Sequence, residues 1–256
     1  MWGIVPSAGI GSRIQPLAFS KELLPVGGRD GGDAERPKAV SEYLVDRLVL
    51  GGAQKIAFVI SPGKSDIVEY YGGEAFGASI CYVVQPKPLG LCDAIFHARP
   101  LVADDEAVLV GLPDTVWFPE DGLALLPERG LSFLLFPVSH PERFDAVVTA
   151  DDGSVLEIQV KQERATSNWI WGAFKLDGSL LRELHALWLE REKVDPYVGT
   201  LVNAWLARGH RAAAVRAGTS YVDVGTLEGY REAIRLLAQK DATRAATPED
   251  KERRIA

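Results

Sequence analysis

Two cations and two carboxylates stand out in this chain, because each comes at or just after an apolar run that reads as a strand. Arg13 and Lys21 follow the strand Trp2 to Val5 and the small-residue segment Pro6-Ser7-Ala8-Gly9-Ile10-Gly11-Ser12. Backbone N–H groups in such a segment can turn toward an anion with no Cβ in the way. Arginine adds a planar fork suited to bidentate phosphate contact, and lysine a point charge on a flexible stem. A Gly-rich turn after a strand is ordinary in α/β proteins, and an isolated Arg or Lys is usually solvated. Here the apolar segment Leu23-Leu24-Pro25-Val26 is expected to pin Lys21 against the sheet edge. Residues 2–26 therefore read as a site for a nucleoside triphosphate. Asp114 follows the strand Ala107 to Leu112, a place where an aspartate is often only a turn former. Asp223 changes that reading, since it lies in the apolar run Tyr221-Val222-Asp223-Val224, where an unpaired charge would be costly. Two carboxylates converging on a triphosphate suit Mg²⁺, which takes oxygen ligands and completes its shell with substrate phosphates.

Two better-known phosphate loops do not fit. The dinucleotide pattern G-x-G-x-x-G is met at Gly9 and Gly11 but its third position is Ile14, and the acidic residues Asp30 and Asp33 sit in a Gly-rich loop rather than at a strand end. Gly63-Lys64-Ser65 resembles the tail of a P-loop, yet the required first glycine is Phe58, so it reads as a turn and helix start.

The elements that must position these residues are apolar strand candidates at 2–6, 55–61, 79–84, 107–112, 131–138, 145–150, 155–160, 169–176 and 211–216. Helical periodicity marks 39–51, 91–99, 179–191, 197–208 and 226–240. Alternating strands and helices predict an α/β fold of three layers, α/β/α, Rossmann-like with a mostly parallel central sheet. In such sheets ligands bind at the carboxyl ends of the strands. The expected organisation is one domain over 1–240 and a charged tail over 241–256, with the Gly27 to Lys38 stretch a mobile loop. A net charge of −7 argues against a nucleic-acid partner. Cys81 and Cys92 have neither metal-ligand nor disulfide-framework spacing, no signal-peptide pattern opens the chain, and no apolar run is long enough to span a membrane. The expected location is the cytoplasm, with homo-oligomerisation left open.

The stretch Pro6 to Val26 resembles the signature of sugar-nucleotide pyrophosphorylases, the nucleotidyltransferases that join a nucleoside triphosphate to a sugar 1-phosphate. Val5 to Arg13 is similar to UTP–glucose-1-phosphate uridylyltransferases, and Gln85-Pro86-Lys87-Pro88-Leu89-Gly90-Leu91-Cys92-Asp93-Ala94 to glucose-1-phosphate thymidylyltransferases. The resemblance continues in order through Leu109 to Asp114, Pro141 to Phe144, Lys161 and Val222 to Thr226, covering residues 2 to about 235. It implies the nucleotide-diphospho-sugar transferase fold and nucleotide contacts at Ala8, Gly9, Gly11, Ser12, Arg13, Lys21, Gln85, Pro86 and Gly90. Arg13 would hold the β,γ-phosphates, Lys21 the α-phosphate region, and Lys161 the sugar phosphate. Mg²⁺ would sit on Asp114 and Asp223. Gln85 would read a pyrimidine edge, with Gly90 leaving room for the base, so UTP or dTTP is the expected donor.

Three departures concern the sugar. The family usually carries Glu before the lysine at 161, where this chain has Val160; it has Gly-Val-Val where this chain has Asp145-Ala146-Val147-Val148; and an acidic motif after residue 190 becomes Val194-Asp195-Pro196-Tyr197-Val198. Trp169 and Trp171 could shape a different pocket or simply pack. The alternatives are a non-catalytic nucleotide-sugar binding or regulatory protein, and nucleotidyl transfer to a non-sugar phosphate or phosphonate.

Overall fold

The computed structural model describes residues 1–30 and 35–245. In chain order the elements are β1 (Trp2–Pro6), β2 (Pro25–Asp30), β3 (Glu35–Ala39), α1 (Val40–Leu50), β4 (Lys55–Ile60), α2 (Ser65–Tyr71), β5 (Glu74–Ala75), β6 (Ala78–Val84), α3 (Leu91–Ala98), β7 (Ala107–Gly111) and β8 (Thr115–Phe118). They continue as β9 (Leu131–Pro137), β10 (Asp145–Thr149), β11 (Val155–Val160), β12 (Trp169–Asp177), α4 (Gly178–Glu190), α5 (Val198–Leu206), β13 (Ala212–Val215), β14 (Ser220–Asp223) and α6 (Leu227–Ala245).

Ten strands form the main sheet, whose path runs β11-β10-β12-β7-β1-β4-β6-β5, with β9 pairing β12 and β13. The central four, β7, β1, β4 and β6, are parallel; β12, β10 and β11 extend it antiparallel. The central strands are apolar without interruption because both faces are covered. In β4, Ala57 and Val59 enter one core, built with α3, α4 and α5, while Ile56, Phe58 and Ile60 enter another, built with α1 and α2. Strand β9 divides the same way, with Phe133 and Leu135 against Leu134 and Phe136.

A separate antiparallel ribbon, β8–β14, matters most for function. Val116 and Val222 are opposite each other and share a third core with Leu24, Val26, Val40 and Tyr43. Its register places Asp223 across from Thr115, next to Asp114 in the chain, and the Val224 N–H donates to the Asp114 carbonyl at 2.8 Å. Arg47, 1 % exposed, braces β8: its Nε and Nη2 donate to the Trp117 carbonyl at 2.9 and 2.6 Å, and its Nη1 to the Tyr43 carbonyl at 2.7 Å.

Every expected strand and helix is present, and β2, β3, β5 and β8 are additional. The loop expected between Gly27 and Lys38 is instead a hairpin of β2 and β3. It is tied to α1 by an Arg29–Glu42 ion pair at 2.9 Å and by Lys38, 3.6 Å from Asp46 and 4.3 Å above the Tyr43 ring. These tethers lie one helical turn apart on α1 and were hidden by the high glycine content of the hairpin itself. Helix α6 runs to Ala245, beyond the expected end at 240, and the rest of the charged tail lies outside the described residues.

Candidate active site

The loop after β1 begins as an extension of the sheet, since the Ser7 N–H donates to the Val59 carbonyl at 2.7 Å. Ala8 is buried, while Gly9, Ser12 and Arg13 are open to solvent. Gly11 has φ +70°, and a Cβ there would stand 2.7 Å from Lys21 Cδ. The lysine stem thus lies across Gly11, and both the turn and the close approach require glycine. Gly11→Ala is expected to introduce about 1–2 kcal/mol of left-handed strain, lowering the melting temperature by about 2–8 °C and raising the KM for the nucleotide by displacing Lys21. Thermal melts and nucleotide titrations of the variant check both effects.

Lys21 donates to Asp114 Oδ2, and Arg13 Nη2 to Asp223 Oδ2 at 3.1 Å. The Gly225 N–H donates to Asp223 Oδ1 at 2.7 Å. The position a Cβ of Gly225 would take lies 2.8 Å from Asp223 Oδ1, 3.0 Å from Arg13 Nη2 and 3.4 Å from Asp114 Oδ2. Two carboxylates and a guanidinium therefore converge on one small space that only glycine leaves open. The Asp114 carboxyl is held below its ordinary range: burial pushes it up, but Lys21, through its charge and hydrogen bond, pulls it further down. Asp223 goes the other way, raised by burial and then by the negative charge of Asp114, with Arg13 only partly offsetting them. Lys21 is raised, burial being outweighed by Asp114 and Glu22.

Behind Lys21 lies a buried network. Glu22, 1 % exposed, accepts two bonds from Lys64 Nζ at 2.7 and 2.8 Å, and the same ammonium donates to the Ser7 carbonyl at 2.6 Å. Burial raises Glu22 and lowers Lys64, each opposed by its partner. This pair ties the turn carrying Lys21 to the start of the loop after β1. In sequence, Lys64 is part of a rejected P-loop match; the available signal was Glu22, an acid beside the apolar Leu23 to Val26 segment.

Lys161 follows β11 with φ +47°, its N–H donating to the Phe144 carbonyl at 2.9 Å. Its ammonium lies 4.4 Å above the Tyr197 ring and 3.3 Å from the Tyr197 hydroxyl. Asp145 faces Lys161 electrostatically, and burial pushes its carboxyl up to about 6. Tyr221 joins the two halves: its hydroxyl is raised well above its usual range by burial first, then by the negative charges of Asp223, Asp114 and Asp145. Tyr221 is thus within electrostatic reach of Asp114, Asp223 and Asp145, while Lys161 makes its hydrogen bond to Tyr197.

The Gln85 side chain is buried after β6, its amide nitrogen donating to Asp93 Oδ2 at 2.6 Å and to the Gly90 carbonyl at 3.3 Å. Both partners are acceptors, so the amide oxygen is the atom left to meet a base. Gly90 has φ +105° and a Cβ there would stand 2.8 Å from the Pro196 carbonyl oxygen, so close packing against Pro196 also calls for glycine at this position. Pro86 is exposed beside it.

The nucleotidyl transferase family model matches residues 2–240. The chain belongs to that family. A glucose-1-phosphate thymidylyltransferase of Neisseria meningitidis is 26% identical to this nucleotidyl transferase over 244 residues, covering 91% of this chain and 81% of that protein. A UTP–glucose-1-phosphate uridylyltransferase of Haloferax volcanii is 25% identical over 254 residues, covering 96% and 99%. Among solved structures, a UTP-bound UGPase from Acinetobacter baumannii superposes with TM-score 0.72 at 20% identity, covering 91% of each chain. That likeness establishes the shared α/β fold.

A cavity of about 590 Å³ also borders Arg13 and Asp223 of this nucleotidyl transferase, with His140, Arg143 and Arg235 in its wall. Lys21, Asp114, Gln85 and Lys161 do not line it, so it lies to one side of the Asp114–Asp223 pair. Among the described residues no three His, Cys, Asp or Glu side chains gather as a metal site. A cation on Asp114 and Asp223 would need further oxygens from substrate phosphates, the usual habit of Mg²⁺. No helix among the described residues is long and apolar enough to cross a membrane.

Proposed function

We propose that this nucleotidyl transferase joins UTP or dTTP to a sugar 1-phosphate, releasing pyrophosphate, with residues 1–240 as the catalytic unit and the cytoplasm as its location. The observation that carries the reading is the convergence of Asp114, Asp223 and Arg13 beside Gly225, with Lys21 on Asp114. Each carboxylate there is covered by a cation that has a better partner in a phosphate. Triphosphate binding then exchanges partners: Arg13 turns to the β,γ-phosphates and Lys21 to the α-phosphate, while the carboxylates are released as metal ligands. The residues fit Mg²⁺, since the donors are all oxygen and the space beside Gly225 is kept clear. When bound, the ion would supply Lewis-acid polarisation of the phosphates.

A phosphate oxygen of the sugar 1-phosphate attacks the α-phosphorus in line, and the bond to the β-phosphate bridging oxygen breaks with its electron pair leaving on pyrophosphate. No protein nucleophile is needed, because the attacking oxygen is already anionic. The enzyme's task is to overcome repulsion between two anions and hold them aligned. Lys161 holds the acceptor phosphate, oriented by the Tyr197 ring and hydroxyl. The Gln85 oxygen accepts the N3–H of uracil or thymine, and the single methyl between those bases is worth only about 1–3 kcal/mol of selectivity.

Lys161→Ala tests this division of labour. Its KM for the sugar 1-phosphate is expected to rise at least about tenfold, the scale of a charge-assisted hydrogen bond, with the nucleotide KM little changed. An effect confined to the nucleotide would remove Lys161 from the acceptor site.

A further inference from the structure

Lys64 stands just before α2 and is 9 % exposed, yet its ammonium joins two separate segments of the chain. It donates to the Ser7 carbonyl at 2.6 Å and to both Glu22 oxygens at 2.8 and 2.7 Å. Ser7 is held on its other side as well, its N–H donating to Val59 of β4, the strand that leads toward Lys64. Two residues beyond Lys64, Asp66 accepts the Ser20 N–H at 2.6 Å and the Ser20 hydroxyl at 2.7 Å. From α1, the Ser41 hydroxyl donates to the Glu22 carbonyl at 2.7 Å and lies 2.6 Å from the Tyr71 hydroxyl at the end of α2. Between these anchors, most of residues 9–19 is exposed. The segment that carries Gly11 and Arg13 is therefore an open span, and residues 64–66 grip both of its ends.

A buried ion pair is often no more stabilising than an apolar pair of similar volume. Stability alone thus gives no reason for Glu22 and Lys64. What three oxygens from two segments around one ammonium do supply is a fixed separation between those segments. Lys21 depends on it, because its stem crosses Gly11 on one segment while its backbone belongs to the other, and its ammonium must still reach Asp114. Resting on the transferase reading above, we propose that Lys64 and Asp66 are positioning residues for the nucleotide: Lys64 closes the base of the loop after β1 through Ser7 and Glu22, and Asp66 fixes the Ser20 backbone from which Lys21 projects. Side chains that bind a ligand from a loop are only as well placed as the shell that supports them, and a misplacement of about 1 Å can cost about a hundredfold.

The experiment combines thermal melts, titration with UTP and dTTP in Mg²⁺, and steady-state pyrophosphate release with glucose 1-phosphate, all on the full chain. Lys64→Met strands the Glu22 carboxylate and is expected to lower the melting temperature and to raise the Kd and KM for the nucleotide about ten- to a hundredfold. Adding Glu22→Leu removes the stranded charge, and the double variant is expected to regain most of the melting temperature while its nucleotide affinity stays low. Asp66→Ala, at a partly exposed site, keeps the ion pair and is expected to raise the nucleotide KM about three- to tenfold, the scale of lost hydrogen bonds, with the acceptor KM within about twofold. A double variant that recovers nucleotide affinity together with its melting temperature makes the pair structural and overturns the assignment. An unchanged nucleotide KM in Asp66→Ala, or equal losses for both substrates, overturns it too, and this variant decides alone where the Lys64 variants do not fold. A wild-type protein that binds nucleotide but releases no pyrophosphate removes the transferase reading only, since the affinities still decide the positioning; one that binds no nucleotide removes both.

Discussion

Asp114→Asn and Asp223→Asn are both expected to lower kcat by about a hundred- to a thousandfold, the scale of losing one preorganised electrostatic contact in a transition state, but to move stability in opposite directions. Asp114 has its pKa depressed in the folded protein, chiefly because Lys21 overcomes the effect of burial. A depressed carboxyl contributes stability that is present above the unfolded pKa and is lost as pH falls through the folded value. Removing that charge also strands the Lys21 ammonium, so Asp114→Asn melts lower at neutral pH. Asp223 has its pKa raised, by burial and by Asp114. Its contribution is present below the unfolded pKa and lost as pH rises through the folded value, so at neutral pH its ionisation is a burden on the fold. Asparagine there can still accept the Gly225 N–H through its oxygen. Asp223→Asn therefore melts at the wild-type temperature or above it, inactive but not weakened, the pattern of a site strained for function. Paired melting curves at neutral pH check this. Equal destabilisation by both variants would mean that the two carboxylates are structural.

The second large effect falls on Lys21. Lys21→Ala is expected to lower kcat/KM for the nucleotide by about a hundred- to a thousandfold and to leave Asp114 and Asp223 facing each other with one cation fewer. Lys21→Arg is expected to rescue little. The stem lies across Gly11, with a Cβ position there only 2.7 Å from Lys21 Cδ, and a rigid planar fork cannot follow the path of a flexible ammonium. Kinetics of the two variants at saturating acceptor test the point. Near-wild-type turnover by Lys21→Arg would show that only charge is required at this position.

The sequence carried the layers of the fold and the grouping of Arg13 and Lys21 on one loop because both rest on local signals. Runs such as Ile56 to Ile60 are apolar throughout, as strands covered on both faces must be, and Gly9 to Lys21 is contiguous. Asp114 and Asp223, 109 residues apart, were linked in sequence only by the oddity of a charge in an apolar strand; the β8–β14 register brings them together. Less legible were contacts set by tertiary packing. Glu22 and Lys64 form their buried pair across 42 residues, and nothing in Gly63-Lys64-Ser65 announces it. The approach of Pro196 to Gly90, 106 residues on, is likewise invisible in the Gln85 to Ala94 segment.

The most direct test of the account is pyrophosphate release measured with Mg²⁺, each of the four common nucleoside triphosphates, and a panel of sugar 1-phosphates together with simple alcohol phosphates and phosphonates. The account predicts release with UTP or dTTP that depends on a sugar 1-phosphate, with one nucleotide sugar formed per pyrophosphate. Nucleotide binding without release across the whole panel would contradict it and mark the chain as a non-catalytic binder; release with an alcohol phosphate or phosphonate alone would contradict the sugar acceptor.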